Sequence, residues 1–472
     1  MNKLLNFSDN KYITLINKLK DLIKGSAFEG KVYIVGGAVR DAILDREIHD
    51  IDLVIDSKSG GVGFAVWLAY NTGCLVQGKN PCVFQTYGTA KLQLTEDPEL
   101  SDINIECVQS RSKKYNPSKT DPSLYYGTIE NDAFRRDLSI NAIYYNITTD
   151  EILDPTGYGL SDIKNKTLRC PSKDICKLYE EDPIKIIRTI RKSVELGWGI
   201  EKNTWLSMVI SSKFVSDEKQ EKVTDEINKM MVLDNPSEAI KKLDACNILH
   251  RILPSLTVSK HVYQDLRPLR TLYEHVLETM DKTPKVLETR LAAMFHDIGK
   301  LKTYDKSFLY HSQIGADLTE EVMTAMKYSK ATINTVKKAV ENHEAFSSYF
   351  GGTIPRPAVI RGFVSKFDGN DKDLEVALDL IHANNITQMY GKKIKLVPGI
   401  KTKIAELDKK NESGKNLKIP ISGKDIMAEY NLRPGPVIGT IMNKVKNMVI
   451  EDPNVTKDEL LKFVGEYIKK VV

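Results

Sequence analysis

Asp50 and Asp52 stand two residues apart in HDIDLVID (49–56), an apolar run that reads as a β-strand. In a strand, residues i and i+2 project from one face, so the two carboxylates point the same way. They repel each other unless a cation lies between them. Mg²⁺ suits such a pair, because it takes hard oxygen ligands and binds through one or two carboxylates plus substrate phosphates. Just upstream, YIVGGAVRD (33–41) carries what a phosphate needs. Gly36 and Gly37 let backbone approach closely, the helix start that follows favours anions, and Arg40 adds a guanidinium fork. Gly-Gly, Arg and Asp-x-Asp within seventeen residues describe a nucleoside-triphosphate site.

A second chemistry lies further on. Five of the eight histidines fall between residues 275 and 382: His275, His296, His311, His343 and His382. RLAAMFHDIGK (290–300) is an apolar helix that ends in adjacent His296 and Asp297. Imidazoles with a carboxylate suit a borderline metal such as Mn²⁺, Ni²⁺ or Zn²⁺.

These residues need elements to hold them. Residues 1–30 read as a helix, by apolar spacing at Ile13, Ile16, Leu19 and Ile23. Residues 31–110 alternate short strands (KVYIVGG, IDLVID, PCVFQTYGTAKLQL, INIECVQS) with helices at AVRDAILDRE and GVGFAVWLAYNTG. RSKKYNPSKTDPSLYYG (111–127) reads as a mobile loop. From about residue 174 the periodicity is helical, and no strand-like alternation of any length returns. The fold class expected is α+β: a small α/β head with a mixed sheet and flanking helices, then an elongated all-α body. The expected domains are 1–160, 161–258, 259–392 and 393–472.

Bulk properties narrow the setting. The chain has 472 residues and a formal net charge of +5, which only weakly suggests a polyanionic partner. No apolar run approaches the ~20 residues that span a bilayer. The N-terminus lacks a signal-peptide pattern, so a cytoplasmic protein with no membrane partner is expected. Six cysteines without a CxxC pair argue against a disulfide framework or a thiolate zinc site.

VGGAVRDAILDREIHDIDLVI (35–55) resembles the signature of bacterial-type CCA-adding tRNA nucleotidyltransferases and poly(A) polymerases. YGTAKL (87–92) resembles the family's His-Gly-Thr strand, with Tyr87 in place of His. IECVQSRSKKY (105–115) is similar to its strand carrying a further acid and base, here Glu106 and Arg111. DAFRRDLSINAIYYN (132–146) resembles the Arg-Arg-Asp-Phe-Thr-x-Asn-Ala motif, and LDPTGYGLSDIKNKTLR (153–169) the Asp-Pro-x-Gly segment. EDPIKIIRTIRKSVELGW (181–198) resembles the Glu-Asp-Pro-x-Arg-x-x-Arg helix, and ISGKDIMAEYNLRPGPVIGTIMNKVKNMV (421–449) a tail segment of the same family. The likeness therefore spans nearly the whole chain. The histidine region resembles the metal-dependent His-Asp (HD) phosphohydrolase domain that some members carry.

The resemblance implies a template-independent transfer in which an RNA 3′-hydroxyl attacks the α-phosphate of a triphosphate and pyrophosphate leaves, with Mg²⁺ as cofactor. It implies Asp50 and Asp52 as metal ligands and Glu106 as a third catalytic carboxylate. Arg111, Asp132, Arg135, Arg136, Asp137 and Asn141 become nucleotide-binding, with Asp137 and Asn141 expected on one helix face. The helix at 181–191 is expected to choose the base through Asp182, Lys185, Arg188 and Arg191. Lys185 stands where the family form has Arg; a lysine is a point donor and not a planar fork, so altered base discrimination is expected. The implied substrates are CTP and ATP and the implied partner is the acceptor arm of tRNA. In the HD region, His275, His296, Asp297 and Asn384 form the implied second metal site, with His311 and His343 matching its further histidines. Asn384 replaces the usual Asp, and a neutral amide binds a divalent ion more weakly. A poly(A) polymerase of the same family, and a phosphohydrolase acting on nucleotides or 2′,3′-cyclic phosphates, remain open as alternatives.

Overall fold

The computed structural model describes residues 10–471 apart from 49, 77, 85–87, 113–125, 267–268, 304–307, 350–352 and 389–393. Tyr87 and most of the loop expected at 111–127 lie outside the described residues. The chain forms two compact units, one of residues 1–218 with 245–248 and one of residues 219–244 with 249–472.

The first unit opens with α1 (Asn10–Ile23), whose apolar spacing buries Leu15, Leu19 and Ile23 completely. Burying each is worth about 1.5–3 kcal/mol. There follow β1 (Val32–Val35), α2 (Gly37–Ile43), β2 (Ile51–Ile55), α3 (Gly60–Asn71), β3 (Cys82–Phe84), β4 (Thr89–Leu92) and β5 (Ile105–Gln109). After α4 (Ile129–Ala133) come β6 (Tyr144–Asn146), β7 (Ile152–Leu153), α5 (Gly159–Lys164), α6 (Ile175–Glu181) and α7 (Ile184–Leu196). One sheet runs in the order β3-β4-β5-β2-β1-β6-β7. It is mixed: β2 and β5 are parallel, and the other neighbours are antiparallel. A parallel pair needs a crossover, and α3 begins it and packs on β4 and β5.

The two sheet faces differ. Ile34, Leu53 and Cys107 join a large core with Leu15, Leu19 and Phe64. Tyr33, Val35, Val54 and Tyr144 join a smaller one on the other face. In β2, Asp52 is the one residue that is not buried. By alternation it shares the face of Val54, at the edge of the smaller core.

Three sequence expectations need correction. The helix expected across 181–191 is broken: Asp182 is extended (φ −146°, ψ 74°) between α6 and α7, and Pro183 precedes the first turn of α7. Asp137 and Asn141 do not share a helix face, because α4 ends at Ala133 and Leu138 is extended, leaving only a 3-10 turn at Ser139–Asn141. Strands also return after residue 174. Gly199–Ile200 pairs with Thr167–Leu168, and Tyr263–Leu266 pairs with Leu269–Thr271. At two to four residues they are too short to show alternation.

The second unit is otherwise helical among its described residues. The helices Leu272–Lys282, Leu287–Phe295, Lys330–Asn342 and Asp371–Thr387 pack on one another, and His311–Ala325 packs on Lys330–Asn342. Three C-terminal helices (Gly423–Tyr430, Pro436–Glu451, Lys457–Val471) enclose their own core of Ile426, Val445, Leu460 and Val464. No helix among the described residues is long and apolar enough to cross a membrane.

Candidate active site

The turn from β1 into α2 sets the first feature. Gly36 has φ +80°, and a Cβ there would lie 3.3 Å from Asp52 Oδ2. Only glycine takes this conformation at no steric cost and leaves that space open. On the other side of Asp52, β5 places Glu106 directly opposite, and β4 places Lys91 opposite Glu106. Lys91 Nζ is 3.5 Å from Glu106 Oε2. Asp50 is exposed and lies one residue before β2, not within it. Burial pushes the Asp52 carboxyl up to about 6; Arg136 opposes this, while the charges of Glu106 and Asp50 add to it. A carboxylate held this high among other carboxylates is a donor set of hard oxygens short of positive charge. It fits a divalent cation.

Arg136 is aimed by its neighbours. Its Nε donates to Asp132 Oδ2 at 3.0 Å and to the Tyr144 hydroxyl at 3.1 Å. Tyr144 in turn donates to Asp132 Oδ2 at 2.8 Å, and the Arg111 main-chain N–H donates to Asp132 Oδ1 at 3.3 Å. Arg136 Nη1 is 3.9 Å from the position a Gly36 Cβ would take. In the sequence, the role of Tyr144 shows only as a tyrosine pair ending the Arg-Arg-Asp segment.

A second network runs behind the turn. Arg40 is buried, with Nη1 donating to Asn141 Oδ1 at 2.8 Å and Nη2 to Asp41 Oδ2 at 2.6 Å. It braces α2 against the 137–141 segment and does not present an open fork, as the sequence suggested. Asn141 Nδ2 donates to Asp137 Oδ1 at 3.1 Å, so the two meet through the irregular turn. Burial opposes ionisation of Asp137, but Asn141, Arg188 and Lys185 hold its carboxyl below the usual range. Lys185 Nζ donates to the Arg135 carbonyl at 2.8 Å and pairs with Asp182 Oδ2 at 3.3 Å. Arg135 Nη2 pairs with Glu181 Oε2 at 3.0 Å. Arg188 is exposed, and Arg191 pairs with Glu195 at 2.7 Å. Gly36, Gly37, Asp52, Glu106, Asp132, Arg136 and the 137–141 segment thus form one neighbourhood, and the α6–α7 junction joins it through Arg135 and Asp137.

The histidines converge in the second unit. His275 Nε2 and His296 Nε2 lie 3.4 and 3.2 Å from Asp297 Oδ2. His311 Nε2 and His343 Nε2 lie 3.2 and 3.4 Å from Asp297 Oδ1. His275, His296 and Asp297 form one group able to hold a metal, and Asp297, His311 and His343 another. Nδ1 of His296, His311 and His343 each meets a main-chain carbonyl, of Ala293, Phe308 and Val340. A carbonyl only accepts, so Nδ1 carries a proton and Nε2 is turned toward Asp297, where a bound metal would take its lone pair. Burial pushes the imidazoles of His275 and His343 below the ordinary range, toward the neutral form a metal needs. Burial opposes ionisation of Asp297, but His296 and Lys300 hold it well below the usual range. Gly299 makes room: a Cβ there would lie 2.0 Å from the His311 carbonyl oxygen. His382 joins neither group. Asn384 is buried on Asp371–Thr387, and its Oδ1 has no hydrogen-bond partner among the described residues.

Known protein families match separate parts of the chain. Residues 32–169 match the poly(A) polymerase head domain family, and residues 268–378 match the HD domain family. The mitochondrial CCA tRNA nucleotidyltransferase of Candida glabrata is 24% identical over 91% of this chain and 89% of its own length. The multifunctional CCA protein of Teredinibacter turnerae is 30% identical over 62% of this chain and 69% of its own. The fold is that of the Bacillus stearothermophilus CCA-adding enzyme crystallised with CTP, at TM-score 0.65, 17% identity and 98% coverage of both chains. Enzymes of this kind work with divalent metals. With its head domain, its HD domain and these relatives, the chain belongs to the family of CCA-adding tRNA nucleotidyltransferases and poly(A) polymerases.

Proposed function

We propose that this chain adds C and A to tRNA 3′ ends, taking CTP and ATP and releasing pyrophosphate, in the cytoplasm. The observation that carries the reading is Asp52 standing in register with Glu106, with Gly36 and Arg136 beside it. Asp50, Asp52 and Glu106 would hold Mg²⁺, which supplies, when bound, charge to stabilise the attacking and leaving oxygens. Arg136, fixed by Asp132 and Tyr144, turns its guanidinium toward the triphosphate. Asp137 and Asn141 suit the ribose hydroxyls. Asp182 accepts from the amino group that adenine and cytosine both present on the Watson–Crick edge. The 3′-hydroxyl gives its proton to solvent, its oxygen bonds to the α-phosphorus, and the bond to the bridging oxygen breaks as pyrophosphate leaves with the electron pair. The test supplies each labelled triphosphate to tRNA lacking the CCA end, lacking only the last A, or complete. Two C additions, one A and then arrest support the reading. Open-ended A addition makes the chain a poly(A) polymerase, and no incorporation sinks the reading.

The histidine centre favours a second activity, hydrolysis of a phosphomonoester or a 2′,3′-cyclic phosphate. The supporting observation is the two groups that share Asp297. Their four Nε2 atoms fit Mn²⁺, Ni²⁺ or Zn²⁺, which would supply charge to polarise a phosphoester. Asn384 lies beyond the matched HD range and weakens the donor set if it turns inward. Metal analysis of the purified chain tests this: a chain that takes up no such metal excludes the activity.

A further inference from the structure

In this chain the ammonium of Lys185 already has protein partners. Nζ donates to the Arg135 carbonyl at 2.8 Å and pairs with Asp182 Oδ2 at 3.3 Å, and the side chain is only 11% exposed. An ammonium has three N–H groups. Two are directed at acceptors the protein itself supplies. Arg135 stands differently. Glu181, the residue before Asp182, takes one Nη2 bond at 3.0 Å, and 24% of the Arg135 side chain is exposed. A guanidinium offers five N–H groups in a planar fork. Arg188, the other arginine near the junction, sits with its charge by Asp137.

We propose that Lys185 is a positioning residue that ties Asp182 to the Arg135 peptide, and that the Arg135 guanidinium donates to the base ring nitrogen. The inference rests on the nucleotidyltransferase reading above. Adenine N1 and cytosine N3 are acceptors flanked by an amino group, whereas guanine N1 and uracil N3 carry a hydrogen. A donor from Arg135 beside an acceptor from Asp182 therefore admits the first two bases and rejects the others.

The test compares ATP with 1-deaza-ATP, which lacks the N1 acceptor, and with the purine ribonucleoside triphosphate that lacks the 6-amino group. The primer is tRNA lacking its last A. Wild type should prefer ATP over each analogue at least about tenfold in kcat/KM, the loss of one hydrogen bond to a charged group. Arg135→Ala should bring the N1 preference to near unity. Lys185→Met should keep the N1 preference and lower the amino-group preference, because Asp182 loses its tie; a merely structural loss would move both alike. If Lys185→Met abolishes the N1 preference, Lys185 is itself the donor and the proposal falls. It falls equally if wild type shows no N1 preference or if Arg135→Ala retains it. Thermal melting and tRNA gel shift establish that each variant is folded, and the wild-type and Arg135→Ala results stand without Lys185→Met. A wild type that incorporates no nucleotide at all would instead overturn the nucleotidyltransferase reading.

Discussion

Asp52 and Glu106 face each other in register across the parallel β2–β5 pair, on the sheet face of the smaller core. Burial makes the Asp52 proton hard to lose, and the Glu106 carboxylate alongside adds to this against the opposing charge of Arg136.

That relation predicts a pH effect on stability. The carboxyl rises from 3.8 to about 6 in the folded chain. Between these values the folded chain keeps a proton that the unfolded chain has lost, so stability falls as pH rises through the window. The loss is at most roughly 3 kcal/mol. Asp52→Asn should therefore melt higher than wild type near pH 8 without divalent cations, and the gap should close below about pH 4. Adding Mg²⁺ should raise the melting temperature of wild type and not of Asp52→Asn. Equal melting of the two proteins near pH 8 would remove the electrostatic argument.

Gly36→Ala forces a side chain into the left-handed region and toward Asp52 Oδ2. The backbone cost at φ 80°, ψ −137° is on the order of 1–3 kcal/mol. Nucleotide incorporation should fall much further than stability, because the Cβ takes the space beside Asp52. Steady-state kinetics and a denaturation curve on one preparation separate the two effects. Near-normal turnover would show that the space by Asp52 is not used.

Tyr144→Phe removes the hydroxyl between Arg136 and Asp132. Leaving these groups short of a partner costs about 1–3 kcal/mol. We expect about a tenfold loss in kcat/KM for ATP and CTP, with tRNA gel-shift affinity retained. An unchanged kcat/KM would mean that Asp132 alone aims Arg136.

His343→Ala removes one imidazole from the side of Asp297 Oδ1. If both groups around Asp297 load, wild type carries two borderline metals per chain and the variant about one, by elemental mass spectrometry. A wild-type value of one would restrict binding to a single group.

Some of this is legible in the sequence alone. Gly36, Gly37 and Asp52 lie within one short strand–helix–strand segment, close enough in sequence to be read together. β1, β2 and β5 carry enough apolar residues to be recognised as strands. His296 and Asp297 are adjacent, so their proximity needed no fold. The α6–α7 break was signalled by Pro183, yet the strong apolar period on both sides read as one helix.

What the sequence by itself determined, then, is local: which residues carry charge, and which short segments become strands or helices. Only the tertiary structure decided which charges meet. Asp52 and Glu106 pair because the α3 crossover returns β5 parallel to β2. Asn141 reaches Asp137 through a 3-10 turn where helix spacing was expected. Tyr144 became the brace for Arg136 because β6 lies beside β1. Four imidazoles gather on both oxygens of Asp297 because separate helices pack there and Gly299 admits the His311 backbone. Periodicity reports burial along one element; the pairing of side chains from different elements depends on how those elements pack, which no single-segment pattern encodes.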